Sequence, residues 1–113
     1  MIYEWVVIGA GPAGIAAVGK LIDFGIAGKN IGWVDPSFTV GDFGTLWRNV
    51  PSNTQVKLFF RFLNACQSFN YSNSSSTFEI NHIDPESTCY LRVMAEPLQS
   101  VTDNLKKTVN PIK

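Results

Sequence analysis

Charge is scarce in this chain. Only 16% of its 113 residues are Asp, Glu, Lys or Arg, against about 25% in an ordinary soluble domain. What charge there is cancels, nine Lys and Arg against nine Asp and Glu. Without a basic excess, general binding to nucleic acid or to an anionic membrane is not expected. So few charges also suggest that part of the surface is covered, by missing chain or by self-association. No apolar run approaches the ~18 residues of a membrane-crossing helix. The Met-Ile-Tyr-Glu-Trp start carries no basic n-region, so no secretory signal is visible and a cytoplasmic location is expected. Cysteine and histidine are nearly absent. Cys66 and Cys89 stand at no metal or redox spacing, so two free thiols and no metal site are expected. The lone His82, inside Phe78-Glu79-Ile80-Asn81-His82-Ile83, reads as a surface or packing residue rather than a catalyst.

What is present begins with order. Trp5-Val6-Val7-Ile8 is apolar without alternation, the pattern of a strand buried on both faces. Gly9-Ala10-Gly11-Pro12-Ala13-Gly14 follows at once. Ile15, Val18, Leu21 and Ile22 then recur at helical spacing, and Gly25 marks a helix stop. Ile31-Gly32-Trp33-Val34 is a second apolar strand, ending at Asp35-Pro36. Residues 1–36 therefore read as a βαβ unit with parallel strands.

The rest is less regular. Residues 37–66 hold an irregular, glycine-containing stretch and then a helix over 55–66, with Val56, Phe59, Phe60 and Leu63 on one side. Residues 67–83 read as an exposed Ser/Asn-rich loop; its sequons at Asn70 and Asn73 are chance matches without a secretory signal. Residues 84–109 read as helical, with Asp84 as N-cap and Pro85 at the first helical position. Leu91, Met94, Leu98, Val101 and Leu105 form the stripe, and Pro97 predicts a break or kink near Ala95. Residues 38–40 and 77–80 are lesser candidates for strands. Trp5 and Trp33, beside strand ends, are expected to be structural.

Gly9, Gly11 and Gly14 form G-x-G-x-x-G between a strand and a helix. The first allows a tight turn, the second lets backbone approach a pyrophosphate, and the third packs helix close on strand. The N-terminal helix N–H groups and dipole then favour phosphate. Asp35 lies at the spacing of about 20 residues where the dinucleotide pattern places an acid for a ribose 2′-hydroxyl. Two negative groups would meet if a 2′-phosphate sat there. Gly9, Gly11, Pro12, Ala13 and Gly14, with Asp35 and Pro36, are thus candidate dinucleotide contacts. The residues alone leave FAD and NAD open, since both carry an adenosine diphosphate.

The glycine turn, placed so early in the chain, resembles the FAD site of flavoproteins with two dinucleotide-binding domains. Gly44-Thr45-Leu46-Trp47-Arg48 and Pro51-Ser52-Asn53-Thr54 are similar to segments of the flavin-containing monooxygenases and related FAD/NAD(P)-dependent oxidoreductases. The resemblance covers roughly residues 3–63. It implies that Gly44, Thr45, Leu46 and Trp47 lie along FAD. It also implies that Asn53 reaches the flavin's reactive edge, as a catalytic residue that adds no charge there. The residues themselves allow plainer roles: a cap or turn before the 55–66 helix for Asn53, and core packing for Trp47.

The family's second glycine fingerprint for NADPH, its late Gly-Asp segment and its Phe-x-Gly…His linker have no counterpart here. The Cys pairs of flavin disulfide reductases are also missing. The expected fold is the N-terminal portion of a Rossmann-like doubly wound parallel α/β sheet, incomplete and followed by helical segments. The expected function is the FAD-binding portion of a monooxygenase-like flavin-dependent oxidoreductase, inactive alone. Its NAD(P)H site and its contacts to a small-molecule substrate would lie elsewhere. The alternatives are a free-standing NAD or adenine-nucleotide binding module and a truncated vestigial relative.

Overall fold

The computed structural model describes residues 2–71 and 77–113; the Asn73 sequon lies outside them. Among the described residues the fold is α/β, a three-stranded parallel sheet with three helices. Strands β1 (Trp5–Ile8), β2 (Ile31–Val34) and β3 (Asn110–Ile112) lie in the order β1-β2-β3. Trp5 pairs with Ile31 and Ile8 with Val34, while Gly32 pairs with Asn110 and Val34 with Ile112. Helices α1 (Pro12–Asp23), α2 (Val56–Leu63) and α3 (Leu91–Lys106) complete the set. The arrangement is compatible with a partial Rossmann-like fold.

Residues 2–36 form the predicted order of strand, helix and strand. Pro12 opens α1, Phe24 caps it, and Gly25 follows with φ +95°. Helix α1 buries Ile15 and Val18. Ile31 and Trp33 of β2 are also buried, together with Leu98, Val101 and Leu105 of α3. Strand β1 departs from expectation. Val7 packs on the core, but Trp5 and Val6 are about half exposed and Ile8 is 83% exposed. No described element covers that side of the strand, so its apolar residues face outward.

Several expectations beyond residue 36 need correction. Residues 38–40 are not a strand, because Phe38 and Val40 adopt left-handed φ of 54° and 65°. Residues 77–80 are not a strand either; Glu79–His82 is a 3-10 turn. The third strand is instead Asn110–Ile112, whose Asn110 side chain donates to the carbonyls of Lys29 and Ile31. The 67–83 segment is not simply an exposed loop: Gln67–Phe69 is a 3-10 turn that buries Phe69 against α1 and α3.

The predicted helix start at Asp84-Pro85 is a turn. The Asp84 carboxylate accepts the Glu86 N–H and its carbonyl accepts the Ser87 N–H. Helix α3 starts later, with Tyr90 as its N-cap. Pro97 neither breaks nor ends it. An interior proline costs a hydrogen bond and about 3 kcal/mol, but nine buried side chains hold α3 in one piece.

Candidate functional site

The turn between β1 and α1 is built from backbone. The Gly9 N–H continues the ladder to the Val34 carbonyl at 2.7 Å. Its φ of +104° then turns its carbonyl inward, where the buried Trp33 Nε1–H donates to it at 2.8 Å. The next N–H, of Ala10, donates to Asp35 Oδ1 at 2.9 Å. Gly14 lies so close that a Cβ there would overlap the Gly9 carbonyl. Gly11 is the N-cap of α1, in extended backbone with φ −76°, so its glycine is not required by backbone angle. A Cβ there would meet nothing within 4 Å. The space beside it is open, and the Ala13 and Gly14 N–H groups in the first turn of α1 have no intrahelical acceptor. That is the environment an anion takes at a helix start.

Asp35 sits at the end of β2 and is only 8% exposed. Besides Ala10 it accepts the N–H groups of Ser37 at 3.1 Å and Phe38 at 2.8 Å, both on Oδ2. Pro36 beside it is exposed. The left-handed Phe38 and Val40 are uncommon geometry for bulky and β-branched residues. Asp35 holds the Phe38 N–H, Gln99 Nε2 donates to the Phe38 carbonyl at 3.0 Å, and Trp33 meets the Phe38 ring edge-on at 5.1 Å.

The chain then crosses the glycine turn. A Cβ on Gly41 would lie 3.2 Å from Gly11 Cα. Thr45 Oγ1 donates to the Gly41 carbonyl, and the Trp47 N–H to that of Asp42. Gly44 packs so tightly on Thr39 that a Cβ would overlap its carbonyl. Leu46 points to solvent, and Trp47 is 47% exposed, so it is not a core residue.

Beside the turn lies a mainly apolar cleft of about 420 Å³, lined by Pro12, Phe43, Trp47, Asn53, Leu58 and Met94 among others. Its size falls within the range of small-molecule sites. It joins three residues the sequence singled out, Pro12, Trp47 and Asn53. Asn53 does not cap α2, whose N-cap is Gln55 with no side-chain cap bond. Instead, the first N–H groups of α2 reach the carbonyls of Ser87 and Pro85. Ser52 is pinned through its N–H to the Cys89 carbonyl, and Leu91 and Arg92 donate to Val50 and Arg48. Phe43, Leu58 and Met94 were not foreseen; Met94 arrives on α3, from a stretch that carries only a core signal.

A larger cleft, about 640 Å³, runs along α3 past Arg48, Glu79, Arg92, Glu96 and Asp103. Of the predicted site residues it takes in only Gly44. Its charges are mixed, and Arg92 pairs with Glu79 at 3.5 Å. The apolar cleft is therefore the better candidate, since it adjoins the glycine turn. Burial raises the thiol pKa of both Cys66 and Cys89, which leaves neither activated as a thiolate. Among the described residues, no three metal-ligating side chains cluster, and no helix is long and apolar enough to cross a membrane.

The chain is similar to a known monooxygenase. The monooxygenase AgnR1 of Paecilomyces divaricatus is 34% identical over 108 residues, which take in 91% of this chain. The chain spans only 27% of that protein's length. No family model and no solved structure matches the chain.

Proposed function

We propose that this chain is the FAD-binding part of a monooxygenase-like, flavin-dependent oxidoreductase. One observation carries the reading. The open space at Gly11 and the apolar cleft meet at Pro12, the first residue of α1. A dinucleotide with a large flat ring needs both features, a backbone cradle for its pyrophosphate and an apolar slot for the ring. The likeness to a protein named as a monooxygenase supports the same reading.

The cradle fits the group. Gly11 leaves room for phosphate oxygens where any side chain would stand, and Ala13 and Gly14 present N–H groups to them. Trp47 supplies apolar area along the ring and keeps water from it. Asn53 offers both a donor and an acceptor at the cleft without adding charge. Gly44 and Thr45 hold the segment that carries Trp47, and Leu46 lies at its outer side. When bound, FAD would supply the redox chemistry, and the protein its position and surroundings. In this reading, the nicotinamide and substrate sites belong to the remainder of a longer polypeptide. That remainder would also cover the exposed side of β1.

Purified protein should retain flavin absorbance or regain it on titration with FAD. Saturable binding of NAD without FAD would favour a nucleotide-binding module instead. Binding of neither would leave a relative that keeps the turn without its ligand.

A further inference from the structure

We infer that Trp33 and Asp35 are positioning residues of the glycine turn, and that Asp35 acts through the turn rather than by accepting a ribose hydroxyl. The role at a ligand site rests on the dinucleotide reading above; the geometry does not.

The argument turns on one peptide group. The carbonyl of Gly9 and the N–H of Ala10 belong to the same peptide plane. Trp33 Nε1 holds the carbonyl at 2.8 Å, and Asp35 Oδ1 holds the N–H at 2.9 Å. Residues two apart on a strand face the same side, so β2 and its extension grip both ends of the plane. Between them, the Val34 carbonyl takes the Gly9 N–H. Three consecutive polar groups of the turn are thereby answered by three consecutive residues. The consequence is electrostatic. The Gly9 carbonyl, which would repel an anion, is turned into the core against a fully buried indole. The open side of the turn is left to the first N–H groups of α1, which attract one.

Asp35 has little capacity left. Three backbone N–H groups within 3.1 Å occupy its two oxygens, out of about four acceptor positions on a carboxylate. The residue is only 8% exposed. A ribose hydroxyl would have to displace a backbone donor or reach the last position in a nearly closed space.

The test begins without ligand. Hydrogen exchange followed by NMR on the wild-type protein should show the Ala10 amide and the Trp33 indole N–H strongly protected. Exchange of either at the rate of an exposed loop amide overturns the grip. Titration of flavin fluorescence then compares FAD with its 2′-deoxyadenosine analogue. Wild-type protein should bind both within about threefold, because no ribose hydroxyl is being read. Asp35→Asn and Trp33→Phe should each weaken both ligands alike, by roughly tenfold or more. If the analogue binds wild type more than about threefold more weakly than FAD, a ribose hydroxyl is being read at the site and the inference is overturned. The two wild-type titrations decide this even if a variant fails to fold. If wild-type protein takes up no FAD, the cofactor reading fails and the ligand role of both residues fails with it. The exchange data still report separately on the grip itself.

Discussion

Replacing Gly14 by alanine should damage the fold more than a single methyl suggests. In a helix, alanine is ordinarily favoured over glycine by about 1 kcal/mol. Here the new Cβ would overlap the Gly9 carbonyl, well inside the 3.0 Å that real Cβ atoms keep from other heavy atoms. The obstacle is backbone, so it cannot swing aside like a flexible side chain. Either α1 lifts from the sheet or the Gly9 carbonyl leaves Trp33. Lifting α1 unpacks Ile15 and Val18, both fully buried, and such overpacking costs about 1–3 kcal/mol. Losing the carbonyl leaves a buried indole N–H unpaired, at a further cost of about 1–3 kcal/mol. Against the propensity gain of about 1 kcal/mol, either route alone should leave a net loss of up to about 2 kcal/mol, and the two together up to about 5 kcal/mol. Denaturant unfolding of wild type and Gly14→Ala measures it. A double-mutant cycle with Trp33→Phe identifies the route: if the carbonyl has moved, Trp33→Phe costs much less in the Gly14→Ala background. Stability equal to or above wild type would refute the close approach of helix and turn.

Gly11→Val should behave in the opposite way. Its extended backbone and open surroundings accept a side chain, so unfolding should change by about 1 kcal/mol or less. FAD titration should nevertheless show binding abolished, and retained affinity would move the pyrophosphate elsewhere. Gly19→Ala should destabilise despite better helix propensity, because its Cβ would stand 2.5 Å from the buried Phe69 ring; a thermal melt at or above the wild-type midpoint would contradict that packing. Asp23 carries a pH dependence. Desolvation acts to raise its carboxyl pKa, but hydrogen bonds from Ser68 and Gln67 outweigh it and hold the group below the ordinary carboxylate value. A lowered folded pKa stabilises above the unfolded value of about 3.9 and loses that contribution as pH falls through the folded pKa. The stability gap between wild type and Asp23→Asn should therefore be present at neutral pH and close in acid; a gap that widens in acid would reverse the sign.

The first 36 residues were legible because their structure is decided locally. The strand, the glycine turn, the helix stop at Gly25 and the second strand each follow from neighbours a few positions away. The same reading places Pro12, Trp47 and Asn53 near a common site, and the cleft brings them together. What the sequence concealed are groups satisfied over long range. Asp84-Pro85 has every local mark of a helix start. Its turn instead lends the carbonyls of Pro85 and Ser87 to the N-terminus of α2. Residues 38–40 look extended, yet the Asp35 carboxylate accepts the Phe38 N–H and Gln99 donates to the Phe38 carbonyl, which holds Phe38 in a left-handed turn. The ribose role expected of Asp35 rests on spacing alone, and spacing says nothing of the three backbone donors that surround its carboxylate.

Helix α3 shows how a remote element can build a site to which it contributes little polar chemistry. Its first N–H groups rest on the carbonyls of Val50 and Arg48, at the end of the segment that passes over the glycine turn and carries Trp47. Pro51 bridges to Tyr90 just before the helix begins. Met94, one turn further on, forms part of the cleft wall. Further along the same stripe, Leu98, Val101 and Leu105 join the core shared with Ile15, Val18 and Trp33. Docking α3 and shaping the cleft are consequently one event. The buried stripe supplies the free energy, and the N–H groups at the helix start, bonded to the carbonyls of Val50 and Arg48, fix where that segment must lie. This coupling accounts for a helix that keeps Pro97 in its interior: a break near Ala95 would separate the buried stripe from the turn that holds the cleft wall in place.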